Sequence, residues 1–292
     1  MSKENNLKLG IPLMLLTTLT FATQDSFSRL LASEYNVIVV VATRYLFFSF
    51  CILLVCLRYP EKMKSALKTR HLYLQILRGL LLAMEVCVMV FSFTQLGLAK
   101  SHAFFSCYPL MVCVLSVPIL HEKIGVFRSI SVFFGFVGTI IILRPGTTSF
   151  SIEYFIPLLS AFLFAFYTVI TRYVSDEDST ETSLFWVGIV GAIFMTTLIP
   201  FYWEPIKGFD ILWLAMLCFI AILGHFLLIK TLEISEASKV QPFAYFQVVF
   251  ATLFGILLFS ESIDLLTVVG TAVIISSGIL MYLKELSQRP TG

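Results

Sequence analysis

Apolar stretches of membrane-crossing length recur along this 292-residue chain, separated by short polar connections. Ten are read, at about 8–32, 36–58, 71–96, 99–120, 124–143, 151–174, 181–203, 210–232, 236–259 and 263–284. About 20 apolar residues at 1.5 Å each cover a hydrocarbon core of about 30 Å. With 58% hydrophobic and 13% charged residues, the chain has too little polar surface to coat a soluble domain. The fold class is therefore an all-α membrane protein.

The stretches come in two sets. Superposing Glu122 on Glu261 also matches Lys100 with Lys239 and Ile124 with Ile263. A fainter echo runs from Phe21-Ala22 through Arg29 against Phe164-Ala165 through Arg172. This divides the chain into two five-helix repeats, 1–146 and 147–292. Five is odd, so the second repeat must enter the bilayer from the opposite side, as in many secondary transporters.

An even number of spans puts both termini on one side. Fourteen basic residues are assigned to that side: Lys3, Lys8, Arg58, Lys62, Lys64, Lys68, Arg70, Lys123, Arg128, Arg172, Lys230, Lys239, Lys284 and Arg289. Arg29, Lys100, Arg144 and Lys207 make four on the other, and Arg44 and Arg78 lie within spans. The asymmetry predicts cytoplasmic termini, in what we take to be a bacterial inner membrane. A net charge of +2, carried by basic residues that border the membrane, gives no reason to expect a nucleic-acid partner. The N-terminus lacks a small-residue cleavage site, so the first span is expected to be retained. Six cysteines fall within spans without C-x-x-C or zinc-type spacing, and no metal or cofactor is expected.

Several motifs carry a family likeness. The run Gly135-Phe136-Val137-Gly138 through Leu143-Arg144-Pro145-Gly146 resembles the end of the first repeat in EamA-type members of the drug/metabolite transporter superfamily. Similar too are Arg78-Gly79-Leu80-Leu81-Leu82, and Pro242-Phe243-Ala244-Tyr245-Phe246-Gln247 continuing to Ser260-Glu261, Gly270 and Ser277-Gly278. The resemblance implies ten helices in two inverted repeats, alternating access, and a central cavity lined mainly by spans 1, 3, 4, 6, 8 and 9. It implies a cargo among amino acids, nucleotide-linked compounds, adenosylmethionine, riboflavin or drugs.

Glu85 is the sharpest candidate for chemistry, because it sits near the middle of the third span. A carboxylate there costs about 2.5–3.5 kcal/mol on insertion scales, so it must be protonated, paired or facing water. It is read as a substrate and proton-coupling group, with a neutral acid bonded to a neighbouring helix as the structural alternative. Arg78 lies two turns away on nearly the same face, a spacing that a zwitterionic cargo would bridge.

In the first span Asp25 follows Gln24, and Arg29 one turn on offers a local ion pair. Thr17, Thr18, Thr20 and Thr23 precede them and suit a helix facing a wet cavity or close neighbours. Arg44 is expected to snorkel outward or to satisfy Asp25. Pro109 and Pro118 in the fourth span and Pro242 in the ninth predict kinked helices. Tyr108, Gln241 and Tyr245 near those kinks, and Tyr167, which matches Gln24 in the repeat, complete the candidate substrate-binding set. His225, read as the sole histidine deep in a span, is the second proton-coupling candidate. Glu122 and Glu261 are expected to cap or order short loops.

These residues predict a secondary active transporter of a small polar or amphiphilic metabolite with a cationic or zwitterionic group, coupled to protons or working by exchange. Its partners are that substrate, the lipid bilayer and protons, with a homodimer left open. An intramembrane lipid-modifying enzyme or lipid-carrier flippase is the alternative; clustered acids, histidines or metal ligands near one interface, which the enzyme needs, are not evident.

Overall fold

The computed structural model describes residues 7–122, 125–143, 152–260 and 265–287. Among these there is no strand. Helices α1 (Leu7–Ala32), α2 (Val37–Arg58) and α4 (Leu72–Leu96) reproduce the first three expected spans within a residue or so, with a short helix α3 (Pro60–Leu67) between the last two. The fourth span is broken into α5 (Leu98–Phe105) and α6 (Tyr108–Leu120), and α7 (Val126–Leu143) is the fifth. Then follow α8 (Phe155–Val174), α9 (Thr180–Leu198), α10 (Asp210–Ile234), the broken pair α11 (Ala237–Ala244) and α12 (Phe246–Phe259), and α13 (Leu265–Ser287). Among the described residues, eight helical segments, counting each broken pair as one, are long and apolar enough to cross a membrane. Within α7 and α13 the described apolar cores are shorter. Glu261, Arg144, Pro145 and Gly146, which carried part of the repeat and family patterns, lie outside the described residues.

Local chemistry sets the boundaries. The Asn36 side chain accepts from the Ile38 amide to start α2, and Ser179 accepts from Thr182 to start α9. Both supply an acceptor for a helix-start donor that would otherwise lack one. The breaks in the two discontinuous helices differ from the proline-centred kinks expected. One falls at Ser106-Cys107, with Pro109 already inside the first turn of α6, a position proline tolerates because its missing donor has no intrahelical partner there. The other falls at Tyr245, three residues beyond Pro242, while Pro118 sits within an unbroken α6. Both α6 and α12 end on a left-handed residue, His121 and Ser260, each with φ of 54°. Those two positions are separated by the same interval as Glu122 and Glu261.

Packing is reciprocal between the halves. α1 lies chiefly against α10 and α4 against α8, while α1 also meets α12 and α6 meets α8. Exchanging α1 with α8, α4 with α10 and α6 with α12 maps these contacts onto one another. The pairs α2–α9 and α7–α13 map onto themselves.

Small residues allow the close crossings, as expected where lipid supplies no hydrophobic drive between helices. A Cβ on Gly191 would lie 2.2 Å from Cε1 of Tyr45, and one on Gly138 would lie 2.7 Å from the Gly270 carbonyl oxygen. Large apolar side chains such as Phe50, Val114, Phe133, Phe162, Phe219 and Leu257 cover the outside. So extensive an apolar surface fits lipid rather than water.

The two ends of the bundle are polar. At one, Asp178 accepts from Thr69 Oγ1 (2.5 Å) and Gln75 Nε2 (2.8 Å), and Arg70 pairs with Glu177. Gly10 near the start of α1 meets Ser235, just past α10, and Ser175 after the end of α8 donates to the Leu232 carbonyl in the last turn of α10, so α1 and α8 run in opposite directions. At the other end Tyr35 donates to Asp210 at 2.8 Å, and the Asn36 amide donates to Glu204.

Candidate functional site

Polar side chains gather where α1, α2, α4, α8, α10 and α12 converge. They border a cavity of about 30 Å³, enough for a water molecule and too small for a metabolite. Its polar wall is Gln24, Asp25, Arg44, Glu85, His225 and Gln247, all buried. Phe21, Met89, Phe105 and Phe164 form the apolar wall. A far larger hollow of about 870 Å³ lies between α7 and α13, but exposed apolar side chains such as Phe127 and Leu280 line it. That groove suits acyl chains.

The acids are held by neutral donors and one imidazole. Asp25 accepts from Gln24 Nε2 at 3.1 Å and Gln247 Nε2 at 3.3 Å. His102 Nε2 lies 3.2 Å from Asp25 Oδ2, within ion-pair range but without the alignment of a hydrogen bond. Glu85 accepts from Ser160 Oγ at 2.8 Å. The amide oxygens of Gln24 and Gln247 have no hydrogen-bond partner among the described residues.

The cations behave otherwise than the sequence suggests. Arg44 neither snorkels outward nor pairs with Asp25: its Nη2 lies 2.9 Å from His225 Nε2. Asp25 turns to His102 rather than to Arg29, whose guanidinium sits 4.1 Å from the Phe259 ring centroid. Arg78 and Glu85 do not face one cavity. Arg78 donates to the Ser183 carbonyl at 2.8 Å and lies 5.4 Å from the Tyr167 ring centroid, away from the cavity wall.

Of the other candidates, Tyr108 packs behind the apolar wall on Phe105 and Phe164. Tyr167 is buried between Arg78 and His225, and Gln241 is buried with its amide lacking a hydrogen-bond partner among the described residues. Tyr245 packs instead on the α7–α13 side, where a Cβ on Gly135 would lie 2.5 Å from its ring. The threonines are no wet strip: Thr17, Thr18 and Thr20 are buried and bond to carbonyls of the preceding turn.

Two residues, His102 and Ser160, go unrecognised as site members in the sequence, whereas Gln247, expected beside the second helix break, does line the cavity. His102, 1% exposed, is a second histidine deep in the bundle, so His225 is not alone. Its position in the repeat corresponds to Gln241, a signal that would have found it. Ser160 reaches Glu85 from another helix, which spacing along the chain does not reveal.

Glu122 does cap. Its two carboxylate oxygens accept from the Ala237 and Ser238 amides, both at 3.0 Å. The end of the first broken helix thus closes the start of the second, where helix-start amides have no partners of their own.

An apolar helical bundle enclosing a small polar cavity is the form of a membrane carrier. Comparison with known proteins gives the family: the EamA-like transporter family model matches residues 8–144 and again 151–283, and the chain belongs to that family. It is 28% identical to the S-adenosylmethionine uptake transporter of Rickettsia prowazekii over 279 residues, covering 94% of this chain and 93% of the relative. It is 25% identical over 230 residues to the riboflavin transporter of Brucella anthropi, covering 75% and 80%. A solved crystal structure, 14% identical, shares the fold with a TM-score of 0.75 over 96% of this chain and 98% of its own. The protein is a multi-pass membrane transporter, and family and relatives point away from an enzyme.

Proposed function

We propose that this protein is a secondary active carrier of a small metabolite with a cationic or zwitterionic group, S-adenosylmethionine or a close analogue foremost, working by alternating access. The observation that carries this is the buried polar cavity, where acids and an arginine from separate helices meet inside an apolar bundle. Groups so expensive to place in a membrane mark a substrate or ion path. The cavity is too small for such a cargo, so loading requires the walls to part, as alternating access demands.

The architecture we infer is ten spans in two oppositely oriented five-helix repeats, 1–146 and 147–292, with both termini cytoplasmic in a bacterial inner membrane. The twice-matched family model, the opposed directions of α1 and α8, and the reciprocal contacts support it. Substrate contact is assigned to Glu85, Asp25, Gln24 and His225 on the cavity wall, with Tyr108 and Tyr167 packed behind it, while Arg78, Gln241 and Tyr245 come into contact only if the walls part. Glu85 and His225, which both border the cavity, carry the coupling proton in a proton-driven cycle, or stay fixed in an exchange cycle.

Flux into proteoliposomes tests this. Labelled S-adenosylmethionine should accumulate when a pH gradient or an internal pool of the same compound drives it, and riboflavin should compete weakly. No accumulation of either compound under any gradient overturns the proposal.

A further inference from the structure

Two opposite charges border the cavity without meeting. Arg44 is 3% exposed, and its one hydrogen bond among the described residues goes to His225. Asp25 and Glu85 are 7% and 5% exposed, and neither forms an ion pair with Arg44, having no carboxylate oxygen within 4.0 Å of its nitrogens. A guanidinium has five donors in a planar fork that matches a carboxylate. The acid side has spare acceptors, since the amide oxygens of Gln24 and Gln247, whose amide nitrogens bond Asp25, have no hydrogen-bond partner among the described residues.

We propose that Arg44 determines specificity by taking a carboxylate of the cargo, so that the cavity receives an α-amino acid end, ammonium toward Asp25 and Glu85 and carboxylate toward Arg44. The assignment rests on the transport reading above and deepens it. A purely cationic solute satisfies the acids and leaves the guanidinium uncompensated in a low-dielectric site. A neutral one compensates neither. A zwitterion compensates both, and the apolar wall of Phe21, Met89, Phe105 and Phe164 then lies beside the rest of the molecule. Arg78, engaged with the Ser183 carbonyl and the Tyr167 ring, is not part of this recognition.

The test compares two ligands that differ only in the carboxylate, S-adenosylmethionine and decarboxylated S-adenosylmethionine, by equilibrium binding to the purified full-length protein in detergent. Wild type should bind the decarboxylated compound about thirtyfold or more weakly, the size expected when a buried charge loses its partner. Arg44→Gln should bring that ratio close to one, because the carboxylate loses its partner and the decarboxylated compound no longer leaves a guanidinium uncompensated, and Arg44→Lys should retain part of it. Should Arg44→Gln fail to fold, as size-exclusion chromatography would show, the wild-type and Arg44→Lys ratios decide. Equal binding of the two ligands by wild type, binding of neither, or an unchanged ratio in either Arg44 variant overturns the assignment. Carboxylate-dependent binding without accumulation in proteoliposomes would sink the transport reading and leave this one standing; accumulation without carboxylate preference would do the reverse.

Discussion

Replacing Glu122 isolates one interaction that joins the two halves of the chain. Its carboxylate accepts from both Ala237 and Ser238 amides at 3.0 Å, at the first turn of α11, where Glu236 supplies no side-chain cap. Hydrogen bonds to a charged group contribute about 1.5–3 kcal/mol each when buried, and losing a helix cap costs about 0.5–2 kcal/mol. Glu122 is half-buried, which puts Glu122→Ala near the upper end of the cap range, about 2 kcal/mol. Glu122→Gln keeps one acceptor and loses the charge, for about 1 kcal/mol. At about 2 °C per kcal/mol for a chain of this size, the thermal midpoint in mild detergent should fall by about 4 °C and 2 °C. Glu61→Ala is the control: Glu61 is exposed and pairs only one turn along its own helix with Lys64, so its loss should shift the midpoint by less than about 1 °C. If Glu122→Ala behaved like Glu61→Ala, the two backbone contacts would contribute nothing, and the reasoning that makes Glu122 a clasp between halves would fail.

Glu85→Gln should leave the protein folded, because the amide still pairs with Ser160, while flattening the pH dependence of flux; a wild-type profile would remove Glu85 from proton coupling. Gly191→Val should lower the thermal midpoint by several degrees, about 1–3 kcal/mol of overpacking against Tyr45, and an unchanged midpoint would show that α2 and α9 have room to separate. Cysteines placed at Lys64 and Lys207 should react with membrane-impermeant reagents from opposite faces, and same-side labelling would refute the inferred topology.

What the sequence revealed and what it hid divide along physical lines. The spans were readable because bilayer length and apolar composition are local properties, and Asn36 and Ser179 mark two helix starts by a side chain acting two or three residues away. Partner choice was not readable. Asp25 faces His102 and Gln247, and Arg44 faces His225, because helix rotation and crossing set those contacts. Proximity along one helix suggests Arg29 as a partner for Asp25 and one cavity shared by Arg78 and Glu85, and the structure has neither. His102 was overlooked because it follows the short connection near 97–100, where span limits were hardest to place. The first helix break falls just ahead of Pro109 for a related reason: a proline near a helix start leaves the ladder intact and marks where a segment begins, whereas Pro118 and Pro242 lie inside helices and mark no break.

The crosswise packing of α1 on α10 and α4 on α8 sets an order of events during synthesis. At about 5–20 residues per second, the opening helices reside in lipid for on the order of ten seconds or more before their partners leave the ribosome. Through that interval Asp25, Arg44 and Glu85 are threaded through the bilayer without Gln247, His225 or Ser160 to complete them. The nascent first half therefore depends on the insertion machinery or on lipid headgroups to shelter its charges, and gene fragments encoding the halves should yield stable protein only when made together.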